Sequence, residues 1–528
     1  MKARQESFRT LWQETADLMF PREDQIQNMD YPGRDKTARI YDTTAIQDSQ
    51  GMASGLSAAL VPAGQPFFAI TVQDPELAQD KNISRYLAEI TELTHTELFK
   101  SNFMLQFNET LRSLVVLGTG NLFSQWKNGL NFKDYDISFY QIKENSAGIV
   151  DSMFLTFPMT ARQALQEFGR ESLGEEVLQA LEKDDKRDDK FEFIHVVQPR
   201  ADRKPGLQDN QNMPFESVFV DVKGKKIVSE GGFEEFPFGV PRWMKSSAEI
   251  YGRGQGTEVL SDVKVMQQIK YDFIECGNRW NKPPLEVDQN FEGEVNTTPG
   301  ALNFVQKPGM ISAIQGAALG SFPVTREMLE FQQEIIHKAF FKDVFVPLAD
   351  LTARMTTVEV VERMREGLRR LGPQVARLQS ELLNPVIMRS VLLLMRNGRL
   401  PLPPPQLEGR GFGLEYMGEL PLALRNQHSK GFLQFAGAIG ELSQIFPEVV
   451  DYVNVDKAMP ALAASMGVKV EHVATPEEVE EKQRIRAEQQ AAMQAAAMGE
   501  QIAKGYGQTT KAPEEGSAAG QVMEAMNA

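Results

Sequence analysis

Two stretches decide how this chain is read: Thr257 to Trp280 (TEVLSDVKVMQQIKYDFIECGNRW) and Thr325 to Lys342 (TREMLEFQQEIIHKAFFK). In the first, Val259, Val263, Met266, Ile269 and Phe273 recur at three and four residues, which predicts one apolar stripe on a helix. Its roughly 24 residues give about 36 Å at 1.5 Å per residue. Tyr251-Gly-Arg-Gly-Gln-Gly256 reads as a flexible lead-in, and Gly277 with Pro283-Pro284 as the close. In the second, Met328, Phe331, Ile335 and Ala339 share a face, with Ile336 and Phe340 beside them. Between them, Lys282 to Phe322 is rich in Gly and Pro, with short apolar runs at Leu285-Glu-Val287 and Leu302-Asn-Phe-Val305. That predicts a small β-rich insert at the tip of an antiparallel helix pair. Single apolar stripes cannot cover each other completely, so the pair needs neighbours, from this chain or from copies of it.

Beyond the second helix lies a break, Asp343 to Met355 (DVFVPLADLTARM), and then a long helix predicted to Asn397. Thr356-Thr-Val-Glu359 forms a capping box, in which hydroxyl and carboxylate each satisfy an orphan amide. Val361, Met364, Leu368, Leu371, Val375, Leu378 and Leu382 form a heptad-like seam, either a buried core stripe or a contact between subunits. Gly372-Pro373 and Pro385 should each bend this helix, because Pro lacks a donor and clashes with the preceding turn.

The N-terminal half predicts a mixture of helices and strands. Helices are expected over residues 5–20, 45–60, 82–100 and 103–117, the last ended by Gly118-Thr-Gly120. Strands are expected over 67–72, 121–126, 137–142, 150–158 and 191–198, and a hairpin over 217–228 around Lys223-Gly224. Thr160-Ala-Arg-Gln163 is a second capping box. After an extended Leu400–Pro405 boundary come predicted helices at 429–445, 455–466 and 477–503, the last capped by Thr475 with Pro476 at its first position. Residues from Gly505 on read as disordered. The fold class is α+β, predominantly helical.

Composition bounds the chemistry. The chain has 528 residues, a formal net charge of −16 and one cysteine, Cys276. An acidic chain does not grip DNA by its phosphates over most of its surface. A single cysteine forbids a disulfide within the chain and suits a reducing compartment; Cys276 reads as a packed small residue. The N-terminus lacks the apolar core of a signal peptide, and no run approaches the roughly 18 apolar residues of a membrane span. A soluble protein made in the cytoplasm is expected. The five histidines are scattered. The chain has no HExxH, no GxxxxGK[ST] and no GxSxG, and Gly252-x-Gly254-x-Gly256 lacks the preceding strand of a dinucleotide fingerprint. No catalytic residues, cofactor or metal ligands are assigned, and no enzymatic activity is expected.

Several motifs, in order, resemble the portal or head-to-tail connector proteins of short-tailed, podovirus-type phages. They are Asp42-Thr-Thr-Ala45, Ala53-Ser-Gly-Leu56 and Pro66-Phe-Phe68; then Arg242-Trp243 and Tyr251-Gly-Arg-Gly254; then Met355-Thr-Thr-Val-Glu-Val-Val-Glu-Arg363; then Leu371-Gly-Pro373 and Leu378-Gln-Ser-Glu-Leu-Leu-Asn-Pro385; and finally Thr475-Pro-Glu-Glu-Val479. Phe67-Phe68 stands where the family commonly has Trp, and the insert matches no pattern of the family.

The resemblance implies a homo-oligomeric ring, typically of twelve copies, around a channel for double-stranded DNA at one capsid vertex, and no membrane. Residues 1–245 would be a wing, 246–281 the first stem helix, 282–322 a clip that meets terminase and the tail adaptor, and 323–342 the second stem helix. Residues 343–355 would be a tunnel loop, 356–430 a long kinked helix from wing to crown, 431–504 a helical crown, and 505–528 a disordered tail. Major capsid and scaffolding proteins would be further partners, and the virion the final location. Phe345, Val346, Leu348 and Arg354 are then candidates to narrow or line the channel. Lys264, Lys270, Lys338 and Lys342 are candidate stem cations for transient, sequence-independent contact with DNA. The alternatives are another virion component, such as an adaptor or scaffold, and a DNA-processing enzyme such as a nuclease.

Overall fold

The computed structural model describes residues 2–345 and 370–417, apart from short gaps such as 28–34 and 315–321, together with some positions between 481 and 498. The chain divides into two units, Met1–Leu424 and Arg425–Ala528. In the second, the described positions are helical. The expected Thr356 capping box, the helices at 429–445 and 455–466, the Thr475 cap and the tail from 505 lie outside the described residues.

The first unit is α+β. Helices Lys2–Met19, Thr44–Leu60, Lys81–Lys100 and Phe103–Leu117 open it. Phe103–Leu117 stops where Gly118 takes the left-handed conformation (φ 91°), which a side chain would resist. Strands β2 (Leu122–Trp126), β3 (Leu130–Asp134) and β9 (Phe238–Gly239) form one sheet in the order β3-β2-β9. A five-stranded antiparallel meander follows, built from β4 (Tyr140–Glu144), β5 (Val150–Thr160), β6 (Lys190–Pro199), β7 (Phe215–Asp221) and β8 (Lys226–Phe233). Both bonds of the capping box at Thr160 and Gln163 form, starting the helix Ala161–Phe168. That helix and Glu175–Glu182 cover one end of the meander with a small core of their own, centred on Phe193, Val177 and Ala164. The main core is aromatic: Trp12, Phe67, Phe68, Phe103, Phe107 and Phe132 are fully enclosed.

Three sequence expectations change here. β1 (Phe68–Val72) finds its partner in β12 (Phe412–Tyr416), an antiparallel strand that no motif announced. Gly252–Gly256 is a tight backbone crossing instead of a flexible lead-in. A Cβ on Gly118 would lie 2.3 Å from Gly254 N, and one on Gly254 would lie 2.6 Å from Val116 O. Arg253 and Met244 exchange backbone hydrogen bonds of 2.7 and 3.2 Å beside it. Gly277 lies inside its helix, which runs from Leu260 to Asn281 and ends just before Pro283-Pro284.

The long helix resolves into Gly372–Leu378, a π-helical turn Gln379–Leu383, and Asn384–Arg396. Pro385 lacks the N–H that would bond the Glu381 carbonyl. That carbonyl instead accepts from Val240 N at 3.1 Å, so the defect becomes the joint between helix and sheet. Leu371, Val375, Leu378 and Leu382 are enclosed within this chain. The described part of the seam is therefore core; Val361, Met364 and Leu368 lie outside the described residues.

Candidate functional site

The two deciding stretches form helices Leu260–Asn281 and Phe322–Ala339, packed side by side. Gln332 Nε2 donates to Asp262 Oδ1 at 2.9 Å and to its carbonyl at 3.2 Å. At the other end a three-residue ladder, β10 (Leu285–Val287) with β11 (Ile311–Ala313), joins them, so they run antiparallel. Leu302 to Val305, expected as part of the β module, forms no strand.

Burial along the pair is uneven. At its root Val259, Leu260, Val263 and Met266 are enclosed, and Gln267 clasps the start of helix Thr44–Leu60. Its Oε1 accepts from Tyr41 N (2.7 Å) and Asp42 N (2.9 Å), and its Nε2 donates to Asp42 O (2.8 Å). Further along, apolar side chains face outward: Trp280 is 62% exposed, Phe331 65% and Met328 53%. On the second helix the buried stripe is Leu329, Ile336 and Phe340. The expected face through Met328 and Phe331 is thus the uncovered one, because helix Leu260–Asn281 and helix Thr44–Leu60 take the adjacent face. Cys276, expected to be packed, is exposed for the same reason. In the insert Leu302 and Phe304 stand out at 82% and 87% exposure.

The candidate residues fall into separate groups. Lys264 Nζ pairs with Glu14 Oε2 at 2.7 Å, and Lys338 Nζ with Glu334 at 2.7 Å, both on the surface. Lys270 is half-buried on the first helix. Lys342 sits at the foot of the second, where its Nζ lies 3.4 Å from Asp48 Oδ1 and 3.3 Å from His337 Nε2. The ring of Phe345 packs over Gly55 of helix Thr44–Leu60, so closely that a Cβ there would lie 2.3 Å from Cδ1. Val346, Leu348 and Arg354 lie outside the described residues. Asp343 and Arg370, which flank that interval, are joined by an ion pair of 3.4 Å.

The sequence reading missed Asp48, His337, Gly55 and Gln267, which hold the root of the pair to helix Thr44–Leu60. The small residues Ala53, Ser54, Gly55 and Ser57 of that helix are the local sequence signal that permits a close approach. It also missed the role of Arg242, whose motif it had marked. Arg242 is buried between Glu144 (2.8 Å) and Glu381 (2.6 Å). Burial disfavours its charge, but the bonds to Glu381 and then Glu144 outweigh that and hold the guanidinium above its ordinary range. Burial also pushes Glu144 upward, yet Lys245 and Arg242 hold it below the usual carboxylate value. Arg389, donating to Ser124 O and Glu235, ties helix Asn384–Arg396 to β2 in the same manner. Among the described residues, no group of three or more His, Cys, Asp or Glu side chains could hold a metal ion, and no helix is long and apolar enough to cross a membrane.

The site is therefore a braced helix pair. Its foot is locked into an α+β body, and side chains such as Trp280, Met328 and Phe331 on the pair are apolar and exposed. Residues 1–473 match the family model described as bacteriophage head to tail connecting protein, and the chain belongs to that family. It is 28% identical over 517 residues to the portal protein of Salmonella phage epsilon15, covering 96% of this chain and 92% of that protein. It is 27% identical over 518 residues to the probable portal protein of Bordetella phage BPP-1, covering 94% and 91%.

Proposed function

We propose that this portal subunit closes with copies of itself into a ring at one capsid vertex, with helices 260–281 and 322–339 as the channel wall. The genome enters and leaves through the lumen, and terminase and the tail adaptor dock on the exposed insert 282–322. Residues 1–245 then form the wing, 343–355 the tunnel loop, and the C-terminal region the crown inside the capsid. Capsid and scaffolding proteins surround it, and the virion is where it acts.

The observation that carries this reading is the uncovered apolar flank of the helix pair, with Trp280, Met328 and Phe331 exposed in a single copy. Neighbouring copies in a ring supply the missing cover. The net charge of −16 supports passage without adhesion, since attachment to phosphates needs cations. The stem lysines and Arg354 are proposed to make brief, sequence-independent contact with DNA, and Val346 and Leu348 to narrow the channel, whereas the ring of Phe345 packs over Gly55. Electron-microscopic class averages of the purified protein test the reading: rings with a central hole are expected. A monodisperse monomer across salt and concentration overturns it.

A further inference from the structure

The tip of the insert holds two large apolar side chains in water on an ordered frame. Asn296 N donates to Asn303 Oδ1 at 2.8 Å, and Asn303 Nδ2 donates back to Asn296 O at 2.8 Å. Thr298 N donates to Asn296 Oδ1 at 3.0 Å and fixes the turn between them. Leu302 and Phe304 flank Asn303, 82% and 87% exposed. Asp288 N donates to Met310 O at 2.9 Å, and the buried Met310 anchors the loop beside the β10–β11 ladder. An exposed aromatic on a backbone already ordered is the form of a protein-binding anchor.

Charge says what covers it. Outward of the ladder, residues 288–310 carry Asp288, Glu292 and Glu294 against a single cation, Lys307. The asparagine clasp brings Glu294, two residues before Asn296, alongside Leu302 and Phe304, which adjoin Asn303. Glu292 and Glu294 are exposed, and among the described residues no cationic side chain pairs with either. DNA is a poor occupant, because these carboxylates repel phosphates. So is a second copy, since the chain carries a net charge of −16 and an acidic tip would meet an acidic surface.

We infer that Leu302 and Phe304 form a plug, collared by Glu292 and Glu294, that seats in an apolar socket with a lysine- or arginine-lined rim on the tail adaptor. The inference rests on the proposed docking of the adaptor at insert 282–322 and names the side chains and the chemistry of that contact. Burial of the plug holds the complex, because the aromatic ring leaves water on binding. The collar steers encounter and orientation, and its attraction weakens with salt. A protein that connects head to tail keeps its tail-side neighbour, and lasting interfaces are more apolar than transient ones.

The test uses the full-length protein and the purified tail adaptor encoded by the same phage, with binding rates followed by biolayer interferometry across a salt series. Phe304→Ser is expected to raise Kd by about thirtyfold or more at every salt concentration, chiefly through faster dissociation. The double variant Glu292→Gln, Glu294→Gln should associate several-fold more slowly at low salt and lose most of its salt dependence. Leu105→Ser, which alters a leucine 63% exposed on the body, should bind as the unaltered protein does. Circular dichroism checks that each variant folds, as the exposure of these side chains leads us to expect. An unchanged Kd in Phe304→Ser overturns the plug, and an unchanged salt dependence in the double variant overturns the collar. An unaltered protein that does not bind the adaptor overturns both. Electron microscopy of the same samples reads ring formation separately: absence of rings counts against the proposed function, while the Phe304→Ser comparison on unassembled subunits still decides the plug.

Discussion

At the scale of single residues, two positions make opposite demands. Gly254 has no room for a side chain, since its nearest neighbours are backbone atoms of Gly118, Val115 and Val116 that cannot rotate aside. Gly254→Ala is expected to cost about 1–3 kcal/mol by overpacking, lowering the thermal midpoint. Gly231→Ala, with nothing within 4 Å, should leave it unchanged. Asp134 is held up to about 7, first by burial, with Asp136 and Glu109 adding to it and a bond from Thr110 opposing it. Its unfolded value is near 3.8. The folded chain therefore binds the extra proton between these values, and stability from this group falls as pH rises from about 4 to about 7. Asp134→Asn should flatten the decline of the thermal midpoint over that window. An unchanged slope in a pH series of melting curves would show that the enclosed carboxyl does not titrate there.

At the scale of elements, the joint between the π-helical turn Gln379–Leu383 and the sheet rests on one residue that serves it three ways. Glu381 offers its carbonyl to Val240 and its carboxylate to Arg242 at three nitrogens, the backbone N, Nε and Nη2, while Pro385 makes that carbonyl available. Glu381→Ala leaves a buried guanidinium with Glu144 as its remaining carboxylate. About 3 kcal/mol of destabilisation is expected, toward the lower end of what breaking a buried pair costs. Arg377 only grazes Glu381 at 4.0 Å from the surface, so Arg377→Ala should cost under about 1 kcal/mol. Denaturant midpoints of the two variants provide the comparison; equal losses would show that the joint depends on packing instead of charge.

At the scale of the whole molecule, the flank of the helix pair separates folding from assembly. Phe331 is 65% exposed in one copy, so Phe331→Asp leaves the subunit core untouched. Ring formation should fail or weaken by at least tenfold in concentration, a shift of about 1.4 kcal/mol per contact, while circular dichroism stays constant. Sedimentation velocity or mass photometry reads the outcome. Rings of unaltered stability would place the subunit contact on another face.

Much of this was legible in the chain itself. Local chemistry determined the helix ends at Gly118, the capping box at Thr160, the hairpin at Lys223-Gly224 and the apolar periodicity of the central pair, because each depends on residues within a few positions of one another. The ordered motifs carried the family for the same reason, being short and read in place. Tertiary structure alone decided which of two adjacent stripes on helix 322–339 is buried. It also decided that β1 pairs with a strand more than 300 residues away, that the glycines at 252–256 cross a backbone, and that Asp48 meets His337 and Lys342. These are contacts between surfaces distant in sequence, and their energies come from shape and burial, which no local pattern encodes.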